Sequence, residues 1–174
     1  AKKCKVRVQL ISVGLAGQIE IEHAEIAAKC LGLPLKIQTY GVEDVRRVLP
    51  KVLWLIEEPD AMKVGVAIPF FWTAETASRL RCPVLLAGQG ADELFGGYKR
   101  YLTEYARGGA EAVQNAIYHD TMMSYETNFQ RDNSVCAFHK VELRLPFADH
   151  DVVRFSLSLP LELKIASPKD ALRK

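Results

Sequence analysis

The sequence predicts an α/β fold built on a doubly wound parallel sheet, on three observations. Short apolar or alternating segments take turns with helix-period segments through the first half of the chain. A continuous apolar run, Pro83-Val84-Leu85-Leu86-Ala87, has the character of a central parallel strand covered on both faces. Beyond Tyr98 the pattern turns mainly helical. Strand–helix alternation of this kind implies right-handed crossovers between parallel strands.

Val6 to Val13 alternates apolar and polar residues and is expected as the first strand. Ile21, Ala24, Ala28 and Leu31 recur at helical spacing, and Gly32 with Pro34 ends that helix. Leu35 to Thr39 is a second short strand. Val45, Val48, Leu49, Val52, Leu55 and Ile56 mark a second amphipathic helix, which Pro50 either kinks or opens. A third helix is expected over Ile68 to Arg81. From Tyr98 to about Phe155 no clear strand is expected. Trp54 and Trp72 sit on apolar helical faces and read as core. One domain is expected over residues 1–174, sheet-bearing over 1–97 and helical over 98–174, continuing past both ends.

Composition narrows the function. Of the 174 residues, 49% are hydrophobic and 25% charged, which suits a folded domain with a core. The net charge of +2 and the single basic cluster Lys2-Lys3-Cys4-Lys5-Val6-Arg7 argue against a nucleic-acid partner. No apolar run approaches membrane-spanning length, and no signal peptide opens the chain, so a cytoplasmic location is expected. The four cysteines show no C-x-x-C spacing, which removes a zinc knuckle or a thioredoxin-type pair. Cys30 and Cys82 read as small buried hydrophobes.

The chemistry is expected at Gly88-Gln89-Gly90-Ala91-Asp92-Glu93-Leu94-Phe95-Gly96-Gly97-Tyr98, which leaves the carboxyl end of the apolar run. Ligands of open parallel sheets lie beyond such ends. Gly88 and Gly90 let backbone amides approach a nucleotide, and Asp92 and Glu93 place two carboxylates beside them. One carboxylate would hold a metal while the other holds the loop. From spacing alone, a glycine turn capped by acids ahead of a helix is an equal reading. Neither G-x-G-x-x-G nor G-x-x-x-x-G-K-[ST] is present.

This segment closely resembles the S-G-E-G-A-D-E-x-F-G-G-Y loop of asparagine synthetases and their β-lactam synthetase relatives. Other pieces follow in family order. Ser12-Val13-Gly14-Leu15 is similar to the S-V-G-L strand end, and Pro69 falls where the family has its T-P-M/L helix start. Val141 to Asp149 resembles V-E-x-R-V-P-F-L-D, Leu159 to Lys164 resembles L-P-x-x-x-K, and Pro168 to Arg173 resembles P-K-x-x-L-R.

The resemblance implies the fold of the PP-loop (N-type) ATP pyrophosphatases and an AMP-forming amide ligase. ATP and Mg2+ would be the cofactors, aspartate or another carboxylate the acceptor, and ammonia the amine. Val13, Gly88, Gly90 and Asp92 would contact the nucleotide, with Asp92 the metal ligand. Lys169, Gln89 and Glu93 take the catalytic positions, Lys169 reaching the phosphates or the adenylate. A glutaminase domain or subunit is the implied partner, and a homo-oligomer stays open.

Departures accompany the match. No S-G-G-x-D-S pyrophosphate loop occurs in the 174 residues, and it is expected just before Ala1. Gln89 stands where asparagine synthetases carry glutamate, and Ala87 replaces a serine. A glutamine keeps hydrogen-bonding capacity and loses the charge, so ATP chemistry is better supported than asparagine as product. A related enzyme with another carboxylate, and a non-catalytic nucleotide-binding homologue, are the competing readings. Elsewhere, His139 is expected to pack locally, Asp149 to cap a helix, and Arg131-Asp132 to serve in an ion pair with Glu142 or Arg144.

Overall fold

The computed structural model describes residues 6–15 and 18–165. The chain forms two compact units, one of Ala1–Leu85 with Arg131–Glu142, the other of Leu86–Gln130 with Leu143–Lys174. The fold class is α/β.

The first unit opens with a β-α-β crossover. Strands β1 (Leu10–Leu15) and β2 (Leu35–Tyr40) are parallel, in register from Leu10 opposite Leu35 to Leu15 opposite Tyr40. Helix α1 (Ile19–Leu31) joins them and ends at Gly32, whose φ of 61° is left-handed and whose N–H reaches Ala28 O and Lys29 O. Strand β1 thus begins four residues after Val6, later than the alternation suggested.

Helix α2 (Val42–Ile56) carries Pro50 in its interior, as one uninterrupted element. Helix α3 runs Ala61–Arg79, capped by the Asp60 carboxylate, which accepts from Lys63 N at 2.8 Å. It begins well before the expected Ile68, so Pro69 lies inside the helix and not at its start. A good cap and a favourable run ahead of the proline outweigh the one backbone bond it deletes.

Val48 and Val52 of α2, Ala67, Ile68, Phe71 and Trp72 of α3, Tyr40 of β2 and Val135 of α6 (Gln130–Phe138) make the core of this unit. Tyr40 and Trp72 stack with centroids 4.0 Å apart. Trp72 is 2% exposed, as its apolar face required. Trp54 is 71% exposed and is not core, because its side of α2 is uncovered among the described residues. Cys30 is likewise exposed and not buried.

Strand β3 (Val84–Leu86) lies in the predicted apolar run but, among the described residues, pairs only with β4 (Glu142–Arg144). Glu142 N donates to Pro83 O at 2.8 Å, and Ala87 N to Arg144 O at 3.1 Å. Strand β4 corrects the expectation of no strand after Tyr98. A three-residue strand is too short to show periodicity, and only its partner defines it. The described residues therefore hold two separate two-stranded sheets.

In the second unit, helix α4 (Ala91–Phe95) is followed by α5 (Arg100–Ser124), which breaks at Gly108 and Gly109. A π-helical turn, Tyr125–Phe129, continues from α5, and Gln130 N bonds Tyr125 O across five residues. After a 3-10 turn (Pro146–Ala148) come α7 (His150–Ser158) and α8 (Leu161–Lys164). Asp149 caps α7 as expected, accepting from Asp151 N at 3.0 Å and Val152 N at 3.4 Å. Tyr101, Val113, Ile117 and Leu161 form this unit's core.

Candidate functional site

The residues singled out in the sequence fall in three places. Gly88, Gln89, Gly90, Asp92 and Glu93 share the turn from β3 into α4, in the second unit. Val13 lies on β1 in the first unit, opposite Gln38 and packed against that unit's core. Lys169 lies outside the described residues.

Glycines do different work within the turn. At Gly90 φ is +95°, and a Cβ would stand 3.3 Å from Phe147 Cβ and 3.4 Å from Phe129 Cζ. Backbone conformation and packing both ask for glycine there. At Gly88 φ is ordinary, the residue is exposed, and no described atom lies within 4 Å of where a Cβ would be. Nothing in the described packing requires glycine at 88. What an absent Cβ leaves there is open access to the backbone.

Gly96 and Gly97 close the loop. Gly96 is left-handed at φ +70° and ends α4, its N–H reaching Asp92 O. Gly97 N also donates to Asp92 O, at 2.9 Å, and a Cβ on Gly97 would lie 1.8 Å from Asp92 Oδ1. The second glycine is therefore the space into which the Asp92 carboxylate folds. Asp92 remains exposed.

Glu93 has the opposite environment. It is 3% exposed, and its Oε1 accepts from Tyr98 Oη and from Asn128 Nδ2, each at 2.7 Å. Burial and the neighbouring Glu93 carboxylate both push the Tyr98 phenol well above its ordinary range, so it stays a donor. Leu94 beside it is buried, and its carbonyl accepts from buried Ser156 Oγ of α7 at 2.9 Å. Phe95 meets Phe147 edge to face, with centroids 6.1 Å apart. Two adjacent carboxylates thus have two environments: Asp92 faces out, and Glu93 is anchored inside.

A Mg2+ ion fits this donor set in one respect. It takes one or two carboxylates and completes its shell with phosphate and water oxygens. Asp92 offers an exposed carboxylate beside open backbone, with a glycine cradle under one oxygen. No cluster of three or more His, Cys, Asp or Glu able to enclose a metal is present among the described residues.

Tyr98 closes the quoted motif, but no periodicity gives its phenol a task. Asn128 is 35 residues from Glu93 and carries no local signal at all. Lys164, the lysine of the L-P-x-x-x-K run, is 5% exposed, and burial draws its ammonium below the usual lysine range.

In the first unit, Arg131 Nε donates to Asp132 Oδ1 at 2.8 Å, both side chains buried, so the two residues pair with each other. His139 packs edge-on against Phe71 and Phe138, with centroids 4.4 and 5.0 Å away, as local packing predicts. No helix among the described residues is long and apolar enough to cross a membrane.

Comparison with known proteins agrees with the ordered motifs. The model of the asparagine synthase family matches residues 1–111 and 102–174. Over 159 residues the chain is 38% identical to a putative glutamine-hydrolyzing asparagine synthetase of Methanocaldococcus jannaschii, covering 91% of this chain and 29% of that protein. It is 26% identical over 170 residues to a glutamine-hydrolyzing asparagine synthetase of Arabidopsis thaliana, covering 98% of this chain and 29% of that protein. It is 32% identical over 164 residues to an asparagine synthetase domain-containing protein of Drosophila melanogaster, covering 91% and 28%. The chain spans less than a third of the length of these curated relatives. With the family match running over both halves, and the Gly88–Tyr98 loop folded as one unit, the chain belongs to the asparagine synthase family.

Proposed function

We propose that this chain is part of the synthetase domain of an ATP-dependent, AMP-forming amide ligase. A carboxylate, aspartate first, is activated by ATP with loss of pyrophosphate, and ammonia then displaces AMP. The observation that carries this reading is the pairing of open backbone at Gly88 with an outward Asp92, on a loop that Gly90, Glu93 and Leu94 anchor by burial.

The proposed roles join those environments with the family resemblance, which alone supports Val13 and Lys169. Gly88 lets the backbone lie against the nucleotide, and Gly90, buried against Phe147 and Phe129, gives the turn the left-handed shape that presents it. Asp92 holds Mg2+, which when bound neutralises phosphate charge. Glu93 holds the loop. Val13 contacts the adenine, and Lys169 supplies a compact positive charge to the phosphates. Gln89, partly buried, bears on the acceptor by hydrogen bonding in place of the charge a glutamate would supply. The doubly wound PP-loop fold belongs to the same reading, with β1 and β2 as two of its parallel strands. So do a single synthetase domain of which these residues are a portion, a glutaminase part as ammonia source, and a cytoplasmic enzyme.

The neutral Gln89 favours one second reading, a different carboxylate on the same machinery. Supplying the full-length protein with ATP, Mg2+ and ammonia alongside a panel of carboxylic acids separates the two. AMP release with aspartate above all others supports the first. Release only with another acid moves the substrate and keeps the chemistry. No AMP with any acid contradicts both.

A further inference from the structure

The Glu93 carboxylate is held from two points far apart in sequence. Tyr98 reaches it from five residues on, and Asn128 reaches the same oxygen from the π-helical turn. The next residue of that turn, Phe129, lies with its ring tip 3.4 Å from where a Gly90 Cβ would stand. Two consecutive residues of one π turn therefore meet the loop at both ends of Gly90–Glu93. An extra residue in a helical turn rotates everything after it by about 100° relative to an uninterrupted α-helix, which makes a π turn a means of setting side-chain direction.

Tyr98 is supported in turn. The Arg100 guanidinium lies over its ring, 4.9 Å from the centroid, and pairs with Asp120. Asp120 also accepts from Tyr101 Oη at 2.6 Å, and Tyr101 is fully buried. The phenol that holds Glu93 is thus fixed to the core of the second unit.

We propose that Tyr98 and Asn128 are positioning residues for the nucleotide: by pinning Glu93 inward they turn Asp92 outward beside the open backbone of Gly88. Successive helical positions point about 100° apart, so an anchored Glu93 sets the direction of its neighbour. The bond from Gly97 N to Asp92 O holds the same residue from the other side. The inference rests on the reading of this loop as the nucleotide site, and it adds residues outside the Gly88–Glu93 stretch to that site.

The test is calorimetric titration of the full-length protein with Mg-ATP, each variant first shown folded by near-ultraviolet circular dichroism. Tyr98→Phe keeps the ring under Arg100 and loses one bond to a buried carboxylate. It should weaken Mg-ATP binding roughly tenfold, and Asn128→Leu should do the same. Glu93→Gln retains an oxygen that accepts both donors, and should bind within about threefold of wild type, unlike Glu93→Ala. In an Asp92→Asn background Tyr98→Phe should have no further effect, because its influence passes through Asp92.

Wild-type affinity in folded Tyr98→Phe overturns the inference and leaves the nucleotide reading standing; this arm decides the matter if Asn128→Leu does not fold. Glu93→Gln as damaged as Glu93→Ala also overturns it, since Glu93 would then act on the ligand by charge. A wild-type protein that fails to bind Mg-ATP removes the nucleotide reading, and the inference with it.

Discussion

Gly88 and Gly90 are the same residue type two positions apart, yet the backbone gives them different obligations. Gly90 is left-handed and packed, so Gly90→Ala should lower stability by about 1–3 kcal/mol in urea unfolding. Gly88→Ala should change stability by less than about 0.5 kcal/mol and weaken Mg-ATP binding, because the added methyl enters the space proposed for the nucleotide. Equal stability losses at both positions would contradict that division. The sequence marks both glycines; only φ and the surroundings separate them. The same limit explains the tryptophans. Helical spacing puts Trp54 and Trp72 on apolar faces, and it cannot say which face another element covers. His139 packs as expected, on Phe138 beside it in sequence and on Phe71, a partner that no local pattern marks. Burial draws its imidazole below the ordinary value of 6.5. The unfolded chain then takes up a proton near that pH which the folded chain refuses. Stability should therefore fall as pH drops below about 6.5 toward the depressed folded value, and His139→Gln should reduce that slope. Urea midpoints at pH 7.5 and 5.5 for both proteins check it.

Elements defined by their own chemistry were legible in the sequence. Helix α1 stops at Gly32, and Asp149 caps α7, because these signals are local. Asp149→Ala should cost about 1 kcal/mol of stability, read as a shifted urea midpoint with an unchanged slope. No shift would mean that solvent satisfies those amides equally well. Elements that depend on a partner were not legible. Strand β4 is three residues whose strand character comes from β3. The early start of α3 was hidden because Pro69 reads as a helix opening, while the Asp60 cap upstream is the stronger signal. The π turn, which brings Asn128 and Phe129 to the loop, leaves no mark in hydrophobic periodicity.

At the scale of the whole molecule, the alternation of strand and helix identified a parallel β-α-β crossover, observed as β1, α1 and β2 over six paired positions. How many strands join a sheet is a matter of long-range pairing, which periodicity does not encode, and the described strands form two sheets of two. Family membership was legible because the loop motif is long and its companions fall in order; the Asn128 side of the Glu93 anchor was not, because it joins residues 35 apart. The central claim is that this loop serves carboxylate activation by ATP. ATP–pyrophosphate exchange measures that step directly. The full-length protein with Mg2+ and aspartate should pass labelled pyrophosphate into ATP, and Asp92→Asn should reduce the rate by at least about tenfold. Exchange that is absent from wild-type protein with every carboxylate supplied, or that survives intact in Asp92→Asn, would contradict the account.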